Sequence, residues 1–460
     1  MPGPGWQGTR RRGRAQAGYA RPVRESYDAL RLALLGLTLL TVSRIHQHFP
    51  MLARARPALV LVLLALVYAI LQPRALSGAA WFRTWPAKVV AALGVLACIS
   101  APFGISFGAS ARTILEDYSK VLIFAFLLMA TVRRTRDLSG YVWAYVLSAG
   151  VLVWLSLFVF GLQKASPSGF YRLSGLYSYD ANDIGVVLLV AFGLTLMTFQ
   201  VSRLKGKLVS AVILVGIGVT LARSGSRGAF LGLLAVVVAL FFLARGVSIT
   251  KRVFFVAATG AGLALASPPG YWEQMETAFH PTQDYNWAAP GGRKETWLRG
   301  LSYMWSHPIF GIGIGNFERA EGTISERAQN WVPGMAGIKW SAPHNSFLEA
   351  GAELGVPGLI LWSALTVGGI GAMSRLRARL PATWARGDPE QRFLYSATTY
   401  LPVAMTGFAV GSFFVSFAFL DPIYILAAFT TGVYVCVERK MRQGPQPDSL
   451  AAPPRAGGQA

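Results

Sequence analysis

Residues 228–244 read GAFLGLLAVVVALFFLA, an unbroken apolar run without a charged side chain. A bilayer-crossing helix needs roughly 20 mostly apolar residues, so this stretch points to a membrane span. Working outward, PALVLVLLALVYAIL at 57–71 has the same character, and such runs recur along the chain. Of 460 residues, 53% are hydrophobic and only 14% charged, against about 25% charged in soluble domains. The expected fold is all-α: a polytopic transmembrane helical bundle of about 12 spans with one long extracytoplasmic loop containing short helices. The spans are expected near 29–45, 57–72, 86–102, 118–132, 141–162, 184–200, 208–222, 228–245, 252–267, 355–373, 396–416 and 420–438.

Charge sets the expected orientation. Arg10, Arg11, Arg12 and Arg14 precede the first span, and Arg74, Arg133, Arg134, Arg136, Arg203, Lys205, Lys207, Lys251, Arg252, Arg375, Arg377 and Arg379 fall on alternate connections. The positive-inside rule puts that side, with both termini, in the cytoplasm. The chain then divides into a disordered basic tail (1–28), spans one to nine (29–267), an extracytoplasmic catalytic loop (268–354), spans ten to twelve (355–438) and a Pro/Gly/Ala-rich disordered tail (439–460). Long loops in compact proteins are usually functional. This one holds Trp272, Trp287, Trp297, Trp305, Trp331 and Trp340, which suit an interfacial layer and sugar stacking.

Several classes are set aside. The net charge of +22 lies in short inter-span connections rather than in a basic patch interleaved with aromatics, so no nucleic acid is expected and the partner is the lipid bilayer. Cys98 and Cys436 sit in apolar runs and read as packing residues. His46 and His48 have no third ligand near them in sequence, and His280 and His307 each precede proline, so no metal and no cofactor is expected. GIGIG at 311–315 follows no strand and is not a nucleotide fingerprint; it reads as a turn allowing close approach of backbone or substrate.

The polar chemistry gathers on the outer side. In SAPHNSFLEAGAELGVPG (341–358), Ser346 and Glu349 match a capping box, Gly355 closes a short helix, and Pro357 suits the first turn of the next one. His344 and Asn345 then precede a helix N-terminus, which favours anions, and a neutral imidazole is a general base near pH 7. LARSGSRGAF (221–230) is a tight turn that puts Arg223 and Arg227 at the membrane surface with no acid nearby in sequence. Guanidinium matches phosphate in a bidentate manner; lipid headgroup contact is the plainer reading of the pair. Arg293 and Arg299 flank an amphipathic helix, and Arg172 enters the sixth span with Asp180 and Asp183 as local acids and Asn182 as a candidate cap.

Four blocks in this order resemble the O-antigen ligase and polymerase superfamily: RLSGLYSYDANDIG (172–185), SGSRGAF (224–230), RKETWLRGLSYMWSHPIFGIGIGNF (293–317) and HNSFLEAGAELGVPGLILW (344–362). The resemblance implies a membrane enzyme of bacterial surface-polysaccharide synthesis, in the inner membrane, that transfers a glycan from an undecaprenyl-diphosphate carrier to an acceptor hydroxyl, without metal or nucleotide. It implies His344, Arg227 and Arg293 as catalytic residues, with Arg172, Arg223, Arg227, Arg293 and Asn345 on the donor's diphosphate. The acceptor is a lipid core, a glycan or a protein; the HNSFLEAGAELG block leans towards a ligase, with a repeat-unit polymerase as the alternative. From another class, a small-anion transporter predicts polar residues in mid-span, and the spans hold few. A non-catalytic scaffold gives no reason for a histidine beside an arginine cluster.

Overall fold

A computed structural model describes residues 28–76, 80–164, 171–243, 248–280, 287, 292–332, 337–338 and 340–443. The tails expected to be disordered, 1–28 and 439–460, lie outside the described residues except for Asp28 and 439–443, and of these 439–442 are helical rather than disordered. The described residues are 80% helical, and their strands are one short antiparallel hairpin, Leu162–Lys164 with Tyr171–Leu173, so the all-α expectation holds.

The main helices are α1 (Ala29–Ser43), α2 (Pro57–Leu71), α3 (Trp85–Phe103), α4 (Ser119–Thr131), α5 (Thr135–Trp154), α6 (Ala181–Val201), α7 (Leu204–Ser224), α8 (Arg227–Leu243) and α9 (Ile249–Ala266), followed by α10 (Arg293–Ser306), α11 (Ser346–Ser363), α12 (Pro389–Gly411) and α13 (Asp421–Arg442). Each stretch expected to span is helical over most of its described length. Among the described residues six helical segments are long and apolar enough to cross a membrane: Trp85–Phe103, Thr135–Phe160, Ala181–Val201, Leu204–Ser224, Ile249–Ala266 and Ser346–Arg379. The expected count of about 12 is thus carried for six. The physical reason is helix length. Arg44 (φ 54°) and Arg56 (φ 46°) take left-handed conformations at the end of α1 and the start of α2, so each helix has 15 residues. At about 1.5 Å per residue that is about 22 Å against a hydrocarbon core of about 30 Å. The first turn of α12 and the last turn of α13 are charged, and α13 continues to Arg442, past the boundary expected at 438.

The core is built around α6, which packs against α7, α8 and α12. Small residues let these backbones close up. A Cβ on Gly193 would lie 2.9 Å from the Ala404 Cα, and one on Gly185 would meet the Ala229 Cβ at 2.6 Å. At the other extreme, α9 buries none of its residues and exposes Phe254 and Leu265. An apolar helix surface left outside a packed bundle is what lipid would cover.

Side-chain bonds sort the helix ends into two groups. At one end Arg31 pairs with Asp137 (3.1 Å) and donates to the Thr131 carbonyl (2.8 Å), Arg439 donates to the Arg133 carbonyl (2.7 Å), and Lys440 pairs with Asp388 (2.9 Å). At the other end Ser178 donates to Gln47 (2.9 Å), Arg44 pairs with Asp421 (3.6 Å) and stacks over Tyr179 (4.9 Å). The candidate site residues lie at this second end.

Candidate active site at the polar-loop end of the bundle

The turn between α7 and α8 is set by Ser224-Gly225-Ser226. Gly225 ends α7 in the left-handed region (φ 58°), the Ser224 hydroxyl donates to the Leu221 carbonyl (2.7 Å), and the Ser226 hydroxyl accepts from the Ala229 N–H (3.2 Å), capping α8. Two helices therefore meet within two residues, and Arg223 and Arg227 flank the joint. Arg223 is half-buried, and its guanidinium makes no hydrogen bond or ion pair among the described residues. Arg227, also half-buried, donates to Thr277 Oγ1 (2.8 Å), tying the turn to the long polar segment.

Arg172 joins them from the hairpin. Its Nε donates to the Ser224 carbonyl (3.3 Å) and its Nη2 to Asn182 Oδ1 (3.4 Å). The Arg172 guanidinium is thus brought to the turn that Arg223 and Arg227 flank, which the sequence alone does not show. Its expected partners behave differently: Asp180 and Asp183 form a reciprocal capping box at the start of α6, so Asp180, rather than Asn182, is the cap.

The His-Asn corner is positioned from two sides. His344 is exposed, sits in the left-handed region (φ 46°), and donates its backbone N–H to Ser416 Oγ (3.0 Å). Positive φ is uncommon for a non-glycine residue, so tertiary contacts hold this conformation. Asn345, buried, caps α11: its Oδ1 accepts from the N–H groups of Phe347 and Leu348, both at 3.1 Å. The carboxamide oxygen is occupied by the cap, leaving the Nδ2 amine as its donor towards a ligand. The expected Ser346–Glu349 capping box does not form. Ser346 Oγ donates to the Val415 carbonyl and accepts from the Phe417 N–H, both at 2.8 Å, and Glu349 accepts from the Ala418 N–H (3.0 Å). Both side chains bind the 415–418 segment because it offers backbone groups that a capping box would leave unpaired. The break expected at Gly355 is present (φ 73°, ψ −173°).

The segment 412–418 links the two halves of the site. A Cβ on Gly228 would lie 2.6 Å from the Phe414 Cβ, so α8 is seated against this segment beside Arg227. Ser416, two residues on, holds His344. At about 3.5 Å per residue, the His344 backbone lies within roughly 20 Å of Arg227.

Helix α10 supplies the third wall. Trp297 Nε1 donates to the Pro343 carbonyl (2.9 Å), Gly300 packs under Leu348, and Met304 packs under Gly351. The order 297–343, 300–348, 304–351 makes α10 and α11 run in the same direction. Arg293, half-buried in the first turn of α10, therefore lies about one turn, about 6 Å, beyond Trp297 on the His344 side. Arg299 belongs to a different structure. It forms a forked pair with buried Glu321 (Nε–Oε1 2.8 Å), whose Oε1 also accepts from the Tyr303 hydroxyl (2.9 Å). The Glu321 bond chiefly, against the cost of burial, raises the Arg299 pKa, while burial, with Glu321 beside it, raises that of Tyr303.

Two acids were missed as site supports. Glu353 accepts from the N–H groups of Gly315 (2.6 Å) and Phe317 (2.9 Å). The 311–315 loop follows α11 closely: Gly311, Gly313 and Gly315 all have positive φ, and a Cβ on Gly311 would meet the Glu353 carbonyl carbon at 2.3 Å. The signal available in sequence was a pair of acids, Glu349 and Glu353, four residues apart on a short apolar helix with no base near them.

No curated protein matches the chain. The stretch from Ser210 to Ser363 contains Arg223, Arg227, Arg293, His344 and Asn345, while Arg172 lies outside it. Residues 210–363 match the family model described as O-Antigen ligase, and this match supports the resemblance to the O-antigen ligase and polymerase superfamily.

Proposed function

We propose that this end of the bundle transfers a glycan from an undecaprenyl-diphosphate carrier to an acceptor hydroxyl, and that it faces the extracytoplasmic side of the bacterial inner membrane. The observation that carries the proposal is the reach of Arg172 to the Ser224 turn that Arg223 and Arg227 flank, a turn joined through residues 412–416 to exposed His344.

The half-buried arginines hold the diphosphate and stabilise the charge that develops on it as it leaves. Arg223 has its guanidinium uncommitted among the described residues. Arg293, in the first turn of α10, lies on the His344 side of that helix. The His344 imidazole accepts the acceptor hydroxyl's proton while that oxygen attacks the anomeric carbon. The bond from that carbon to the diphosphate oxygen breaks, and its electron pair leaves with the polyprenyl diphosphate. The diphosphate ester carries the activation, so the donor needs no nucleotide. Confinement of the polyprenyl tail to the bilayer lowers the entropic cost of the encounter.

Polar side chains inside the helices favour this reading over a small-anion transporter. Ser148 and Thr195 are buried and donate to carbonyls of their own helices, Ala144 (2.5 Å) and Ala191 (2.6 Å), rather than lining a path.

The test is purified full-length protein with synthetic undecaprenyl-diphosphate oligosaccharide, with and without chelator. One arm offers a lipid-core acceptor and the other a second lipid-linked glycan; turnover in the first identifies a ligase and in the second a polymerase. His344→Ala is expected to slow transfer by roughly 10²–10⁴-fold with donor binding retained, and Arg227→Ala to weaken donor binding. Full transfer by a correctly folded His344→Ala protein overturns the assignment of the base.

A further inference from the structure

At the end of the bundle opposite His344, four guanidiniums surround one cavity. Arg83, Arg133, Arg439 and Arg442 line a space of about 570 Å³ in which Glu438 is the one acid. That volume is within the roughly 300–1,000 Å³ of small-molecule sites. Its apolar side is formed by Leu76, Val132 and Val435.

The sequence builds this cavity from three connections. The last turns of α13 supply Glu438, Arg439 and Arg442, the link between α4 and α5 supplies Arg133, and the 3₁₀ turn Trp81–Arg83 supplies Arg83. Two of the arginines are aimed by neutral groups. Arg133 donates to the carbonyls of Arg74 and Leu76 (3.3 Å to Leu76), and Arg439 donates to the carbonyl of Arg133 (2.7 Å). Carbonyls orient a guanidinium without cancelling its charge. Arg442 pairs with Glu438 (2.5 Å), and the Arg83 guanidinium makes no hydrogen bond or ion pair among the described residues. Four cations therefore share one anion, and such a cluster is stabilised by an anionic ligand, with guanidinium suited to phosphate oxygens.

Position narrows the ligand. The cavity opens at helix ends, with Trp81 packed at its turn against Phe126 (ring centroids 5.8 Å apart) and Phe82 exposed. Tryptophan and other aromatics at helix ends mark the headgroup level, and basic pockets there take anionic headgroups. We propose that this cavity binds the headgroup of an anionic phospholipid, its phosphate among Arg83, Arg133 and Arg439 and its acyl chains running from Val132 and Val435 along the bundle. A zwitterionic lipid brings a phosphate but no net charge, and leaves the excess of cations unneutralised. The proposal stands independently of the transfer chemistry at the other end.

The test is native mass spectrometry of the full chain in mixed micelles containing phosphatidylglycerol or phosphatidylcholine, with inorganic phosphate as competitor. Phosphatidylglycerol is expected to be retained in preference to phosphatidylcholine and to survive millimolar phosphate. Arg83→Gln with Arg442→Gln is expected to weaken its retention by roughly tenfold. Glu438→Gln, which frees Arg442, is expected to strengthen it, and Arg54→Gln with Arg56→Gln, at the other end, to leave it unchanged. Equal retention of the two lipids, displacement by inorganic phosphate alone, or a Glu438→Gln protein that retains no more lipid than the parent overturns the proposal.

Discussion

Glu353 offers the sharpest test of how the His344 corner is held. Its carboxylate is 3% exposed and accepts two backbone donors, Gly315 N–H at 2.6 Å and Phe317 N–H at 2.9 Å. A hydrogen bond to a charged group contributes about 1.5–3 kcal/mol, and an orphaned buried N–H costs a similar amount. Glu353→Ala removes both acceptors at once, so about 3–6 kcal/mol is at stake. Glu353→Gln keeps one acceptor oxygen and turns an amine towards the other donor, so it loses about half as much. Glu349→Ala, which frees one donor at Ala418, is the internal standard. A protein of ordinary stability has about 5–15 kcal/mol in all, so Glu353→Ala is expected to survive poorly on heating in detergent. The expected order of survival is parent, then Glu353→Gln and Glu349→Ala together, then Glu353→Ala. If Glu353→Ala costs about 1 kcal/mol or less, or no more than Glu349→Ala, the two-donor clamp does not hold the loop as argued.

Further outcomes follow from other contacts. Gly228→Ala places a methyl group 2.6 Å from the Phe414 Cβ; an overpacking cost of about 1–3 kcal/mol and loss of transfer are expected together, read by thermal stability and turnover. Arg299→Lys removes the fork on buried Glu321 and is expected to cost about 1–3 kcal/mol while leaving donor affinity unchanged in the protein that remains folded. Burial, then the Arg44 charge, lowers the His46 pKa from its ordinary 6.5. The unfolded chain then binds a proton that the folded chain resists, so stability falls with acid from about pH 6.5 downward. Comparing melting at about pH 7.5 and 5.5, His46→Gln should show a smaller acid loss than the parent.

Much of the helical layout was legible because it rests on local apolar content. The runs at 57–71 and 228–244 became helices within a residue or two of the expected bounds, and Gly355 with Pro357 marked the break in α11 through backbone geometry alone. Capping was misread by one residue. Ser346 and Glu349 fit a local motif, but the backbone of 415–418, some seventy residues away, competes for both side chains. Arg293 and Arg299 look alike in sequence, and Glu321 alone separates them by taking Arg299 into a buried pair. Arg172 was read against its neighbours Asp180 and Asp183, yet those acids cap α6 and its guanidinium reaches Ser224.

The sequence by itself determined that this is a helical membrane protein with a basic side and a polar segment near its C-terminal third, because hydropathy and charge act residue by residue. Only the tertiary structure decided which cations share a site. Arg172 reaches the turn that Arg223 and Arg227 flank, and His344 is joined to that turn, because α6, α8 and α12 close on small residues and carry the 412–418 segment between α8 and α11. Hydropathy records how much each helix gains by leaving water; it holds no record of which helix stands beside which.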